Sequence, residues 1–181
     1  MNQNLADELV SMMEEDQRLL QQLFDSGELP SESYHPQMKA LHEHNVSRLK
    51  EIISRHGWPG ISLVGEDAAR AAWLVAQHSV SDTEFMAECV SLLGDAVARE
   101  DVAGWQLAFL QDRVRTLSGE PQCYGTQFDV DEKGWPTPFP IEDFATVNQR
   151  RARLGLNSLE ERLEQMTEQE RKRRAKIQPT S

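Results

Sequence analysis

Cysteine is scarce in this chain: Cys89 and Cys123 are its only two, far apart and in no CxxC pair. Two isolated thiols build no disulfide framework, and they read as free thiols of a reducing cytoplasm. Long apolar runs are missing too. No window approaches the roughly 18 continuous apolar residues of a membrane-spanning helix, so no membrane role is expected. The first ten residues, MNQNLADELV, lack the basic and apolar regions of a signal peptide. Basic charge is in deficit, with 19 Lys and Arg against 30 Asp and Glu and a net charge of −11. Such a surface repels phosphate backbones, and no nucleic-acid partner is expected. Several catalytic signatures are absent as well. There is no glycine-rich nucleotide loop, no GxSxG elbow, no HExxH and no helical Glu-x-x-His pair, which removes the main support for zincin and di-iron readings.

What is present is helical periodicity. Leu5, Leu9, Met12, Met13, Leu20, Leu23 and Phe24 recur mostly at three- and four-residue spacing and predict a helix over 5–26. A second follows Pro36, with Met38, Leu41, Leu49, Ile52 and Ile53, and ends at the HGWPG of 56–60. There Trp58, between a glycine and a proline, is expected to fill a buried corner. A third begins near Glu66, a fourth behind the capping box Ser81-x-x-Glu84, and a fifth spans about 104–117. Then comes QCYGTQFDV, the turn DEKG and WPTPFPI, read as a short hairpin whose second arm is kept irregular by Pro136, Pro138 and Pro140. Alternation would put Gln122, Tyr124 and Thr126 on one strand face. A last helix opens at Ser158-x-x-Glu161. The reading is mainly α: a compact bundle of about five to six helices with a short irregular β-hairpin or extended arm near 122–141. It forms a single helical domain over 1–166, followed by a charged, frayed tail over 167–181.

Polar residues interrupt the apolar stripes. Asp16 falls four after Met12, Asn45 four after Leu41, His78 four after Leu74 and Asp112 four after Ala108. Four helices thus aim polar groups inward, and a buried polar group without a partner costs roughly 1–3 kcal/mol. These residues are expected to pair, to hold backbone, or to line a wet pocket. The first and second helices are expected to be neighbours with Asp16 and Asn45 inside. His42 and His44 stand about 200° apart on one helix and cannot share an ion. A set of His56, His78 and a carboxylate is the remaining combination for a metal, and no metal ligand is assigned.

The segments HGWP, SLVG, AAWLVAQH, FLQDRV, GEPQCYGTQF, PIED, RRARLGL and SLEERL, in this order over about 45–163, resemble a bacterial family, domain of unknown function 6624. The resemblance implies a recurrent fold and no activity. Gln77-His78, Asp112-Arg113, Gln122, Tyr124-Gly125-Thr126-Gln127 and Glu142-Asp143 match the family's polar motifs.

The leading expectation is a soluble protein with a polar pocket for a small molecule or a peptide end, hydrolase- or transferase-like. His78 would be the general base, Asp112 would orient its imidazole, and Arg113 would hold an anionic group. Gln77, Gln122, Tyr124, Gln127 and Glu142 would line the pocket and position the substrate. No cofactor is named. The alternative is a non-enzymatic, antitoxin-like acidic module that binds a protein partner. Convergence of His78, Asp112 and the Tyr124 segment in one concavity would favour the first.

Overall fold

The computed structural model describes residues 1–31 and 33–177. The chain is mainly helical, with one small antiparallel hairpin. By its internal contacts the chain falls into two compact units, Met1–Val102 and Ala103–Ser181.

The first unit holds α1 (Gln3–Asp25), α2 (Pro36–His56), α3 (Ile61–Val64), α4 (Glu66–Gln77) and α5 (Thr83–Ala98). Asn2 caps α1 by accepting from the Leu5 N–H at 3.2 Å. Leu5, Leu9, Met12 and Asp16 are buried along one stripe of α1, which packs against both α2 and α4. Close approach is possible because α4 buries Ala68, Ala69, Ala71, Ala72 and Ala76 in place of larger side chains. As expected, Asp16 and Asn45 face the interior, at 4% and 3% exposure, and α1 and α2 are neighbours. The cap of α5 differs from the expected one. Asp82, not Ser81, accepts from the Phe85 N–H, at 3.1 Å, and the carboxylate also favours the helix N-terminus.

The corner after α2 is built around Trp58, which is buried. Gly57 ends α2 with φ +73°, a conformation glycine adopts without strain. The short α3 was not legible, since four residues carry no period. Asp101 holds its start: its carbonyl accepts from the Ile61 N–H at 2.8 Å and its carboxylate from the Ser62 N–H at 2.7 Å.

The second unit holds α6 (Gly104–Leu117), β1 (Phe128–Val130), β2 (Pro136–Pro138), a 3-10 turn at Phe144–Thr146, α7 (Val147–Arg153) and α8 (Leu159–Ile177). The hairpin pairs Phe128 with Pro138 and Val130 with Pro136. Its turn is the expected DEKG, where Asp131 accepts from the Lys133 and Trp135 N–H groups at 2.9 and 2.8 Å. Ser158 and Glu161 form the expected reciprocal cap of α8, at 2.9 and 3.2 Å.

Residues 123–127 do not form the alternating strand that the pattern suggests; β1 starts only at Phe128. The reason is Asp112, whose carboxylate gathers the backbone of this segment into a turn. Gly125 sits at φ +66°, and a Cβ there would meet the Leu159 and Ile141 side chains at 2.7 and 2.9 Å.

α8 runs on to Ile177 where fraying from Glu168 is expected. Glu170 pairs with Arg173 and Arg174, both at 2.7 Å. Arg174 also stacks 4.0 Å over the Trp135 ring and donates to the Gly134 carbonyl. These contacts supply what apolar residues do not. Residues 178–181 of the expected tail lie outside the described residues.

Candidate functional site

Three elements of the first unit bring three ligating side chains together. Asp16 comes from the middle of α1, His42 from α2 and His78 from the C-terminal cap of α4. One carboxylate oxygen of Asp16 lies 2.6 Å from His42 Nε2 and 2.9 Å from His78 Nδ1. The two imidazole centroids are 4.4 Å apart. Tyr34 Oη meets the other nitrogen of His42, Nδ1. In the proton arrangement that satisfies all these contacts, His42 Nε2–H and His78 Nδ1–H both donate to Asp16. The Tyr34 hydroxyl then donates to His42 Nδ1. Burial pushes the Asp16 carboxyl up, but the interactions with His42 and His78, their hydrogen bonds foremost, outweigh it and hold the group well below the usual carboxylate range.

Asp16 takes the contact at His78 Nδ1, and among the described residues no hydrogen bond reaches Nε2 at the other end of that ring. His42 and His78 together form one wall of a cavity of about 280 Å³. Glu43, Val46, Ser47, Lys50, Ser79, Ser81 and Asp82 complete it. Lys50 is held by Asp82 at 2.5 Å across the cavity's rim. A second crevice, too tight for a water molecule, is lined by Met12, Asp16, His42, Asn45 and His78. Among the described residues, Asn45 Oδ1 is buried there without a hydrogen-bond partner, an arrangement that native interiors rarely tolerate unless something else satisfies the oxygen.

The pattern of the family of unknown function DUF6624 matches residues 3–172. The chain belongs to that family. No curated protein and no solved structure matches it significantly. In this DUF6624 chain the family match reaches back beyond residue 45 to cover Asp16 and His42, which the quoted motifs do not include.

The expected site residues fall in both units. His78 and Gln77 belong to the first. Gln77 is buried, and its Nε2 has no hydrogen-bond partner among the described residues. The carboxylate on His78 is Asp16, in the place that the sequence reading gives to Asp112. Asp112 belongs to the second unit, fully buried on α6. It accepts from the N–H groups of Cys123 at 2.7 Å, Tyr124 at 3.0 Å and Thr126 at 3.0 Å, and from Thr126 Oγ1 at 2.9 Å. Burial pushes its carboxyl upward while these donors oppose that shift.

Gln122 is equally internal. Its Nε2 donates to the Gln127 and Phe139 carbonyls, and its Oε1 accepts from the Gln127 N–H. No amide hydrogen of Gln122 remains for a ligand. Tyr124 is half-buried, and burial raises its phenol above the ordinary value. Gln127 Nε2 donates to Thr126 Oγ1 at 3.1 Å. Arg113 is half-buried on α6. Glu142 is exposed and ion-paired with Arg115 at 2.8 Å. The buried Arg151, a residue that sequence reasoning missed, donates to the Tyr124 carbonyl at 2.6 Å and to that of Asn157 at 2.6 Å. The 122–127 segment is thus held from both sides by charged groups whose hydrogen bonds run to its backbone.

His42 was also missed, although its position was readable: it lies four after Met38 and three before Asn45, on the buried stripe of α2. His44 and His56 are exposed. The histidine that joins His78 is therefore His42 and not His56.

Proposed function

We propose that the first unit binds a small polar molecule, or the end of a peptide, in the cavity beside His42 and His78, and acts on it as a hydrolase- or transferase-like enzyme. His78 is the general base. Its Nε2 removes the proton from an attacking water or hydroxyl and returns it to the leaving group. Asp16 fixes the tautomer through Nδ1–H and stabilises the imidazolium that forms. His42, steadied by Tyr34, shares the same carboxylate oxygen and keeps Asp16 from rotating away. The observation that carries this reading is the 2.9 Å contact to a buried Asp16 oxygen from Nδ1 of His78, a residue that also lines the cavity. A buried carboxylate behind an imidazole is the arrangement by which proton abstraction at the outer nitrogen is sustained. Asp112 and Gln122 have a different task in this account: they build the second unit's backbone.

The test is a turnover screen of the full chain against small esters, amides and phosphoesters, with His78→Gln as the comparison. Turnover that falls at least a hundredfold in His78→Gln, with the melting temperature within about 3 °C, supports the reading. Turnover that is indifferent to His78→Gln overturns it, and no turnover of any of these substrates overturns it in favour of the acidic interaction module.

A further inference from the structure

Asp16, His42 and His78 also have the composition of a metal site. We infer that these three side chains bind one divalent transition-metal ion, with Asn45 Oδ1 as a fourth donor. Their ligand atoms, His42 Nε2, His78 Nδ1 and an Asp16 oxygen, all lie within 4.8 Å of one another. Donors about 2.0–2.2 Å from a common ion in tetrahedral geometry stand roughly 3.3–3.6 Å apart. The contacts of 2.6 and 2.9 Å to Asp16 therefore need to open by roughly 0.4–1.0 Å. Two imidazoles and one carboxylate favour zinc, cobalt, nickel or ferrous ions over magnesium or calcium, which prefer oxygen donors throughout.

Two further observations point to an ion. Asn45 lines the same crevice, and its buried Oδ1 lacks a donor among the described residues. A cation supplies what that oxygen is missing. Tyr34 holds His42 at Nδ1, the nitrogen that does not face Asp16. Ligating histidines are commonly fixed this way through their outer nitrogen. With an ion bound, that hydrogen bond reverses: His42 Nδ1–H donates and the Tyr34 oxygen accepts. The cavity beside the histidines gives the ion an open side. Glu43, Lys50 and Asp82 are the charged groups on it, and Lys50 is neutralised by Asp82.

This inference rests on the proposed pocket for where a substrate would lie, but it changes the chemistry. Water polarised by the ion becomes the nucleophile in place of water deprotonated by His78, because His78 Nδ1 is then a ligand and Nε2–H a donor toward the cavity.

The experiment uses the full chain stripped with a chelator and titrated with Co(II), then Zn(II). Visible d–d absorption reports Co(II) coordination, and equilibrium dialysis counts bound zinc. The expected result is one ion per chain with micromolar or tighter affinity. His42→Ala and His78→Ala should each weaken it at least tenfold, while His44→Ala and His56→Ala leave it unchanged. Nitrogen NMR of the wild type, which depends on no variant, should show His42 Nε2 and His78 Nδ1 perturbed by Zn(II). Binding of less than half an ion per chain at 50 µM Zn(II), or ring nitrogens unmoved by the metal, overturns the inference. Turnover by the stripped protein that still requires His78 overturns the metal chemistry and leaves the acid–base reading standing. Stoichiometric zinc in a protein without turnover supports the metal site and removes the pocket reading.

Discussion

Replacing Asp112 by alanine should unfold the segment that begins at Cys123. The carboxylate is fully buried and accepts from four donors: three backbone N–H groups and the Thr126 hydroxyl. Asp112→Ala leaves all four without a partner. A buried donor left unsatisfied costs about 1–3 kcal/mol. Cys123 and Tyr124 are only half-buried, so water can reach part of the segment, and removing a buried carboxylate relieves some desolvation. The low end of the range, taken for four donors, gives a net loss of about 3–5 kcal/mol. Asp112→Asn keeps one acceptor but turns an NH₂ toward a second N–H, and should cost about half as much. Urea unfolding of the full chain by linear extrapolation measures the loss. Amide exchange at Cys123, Tyr124 and Thr126 localises it, with protection expected to collapse at these three residues first. A loss under about 1 kcal/mol, with exchange at the three amides unchanged, would refute the claim that Asp112 organises this segment.

Trp58→Ala should cost about 3–5 kcal/mol, since it empties a buried corner between α2 and α3; a melting temperature within a degree or two of wild type would place the indole's role at the surface. For Asp16, whose folded-state pKa is depressed by His42 and His78, the stabilisation is present above the unfolded-state value near 4 and is lost as pH falls below it. The stability gap between wild type and Asp16→Asn should therefore be widest above about pH 5 and shrink on acidification; a gap constant from pH 3 to 7 would contradict this.

Much of the fold could be read from the sequence because it rests on local pattern. The stripe of α1 announced Asp16 as an inward residue, and that of α2 announced Asn45. The glycine and proline around Trp58 announced a filled corner. Partner choice was another matter. Asp112 and Asp16 are both inward carboxylates, and periodicity assigns each to a helix face without saying what lies opposite. Asp16 and His78 are 62 residues apart, and no local rule links them. The same limit hid the role of 122–127. Alternation made a strand of residues whose backbone N–H groups are in fact drawn to one carboxylate, an arrangement that only the folded chain reveals. His42 was passed over because it was weighed together with His44, although the two face opposite ways for the very reason that made them a poor pair.

The central claim is that Asp16 fixes the two imidazoles so that His78 Nε2 is free at the cavity. Two-bond ¹H–¹⁵N correlation of the histidine rings in metal-free full-length protein near pH 8 tests it most directly. The account predicts a single tautomer for each ring, with the proton on Nδ1 of His78 and on Nε2 of His42, and loss of both preferences in Asp16→Asn. Rings that show the averaged tautomers of exposed His44 and His56, with no change in Asp16→Asn, would contradict it.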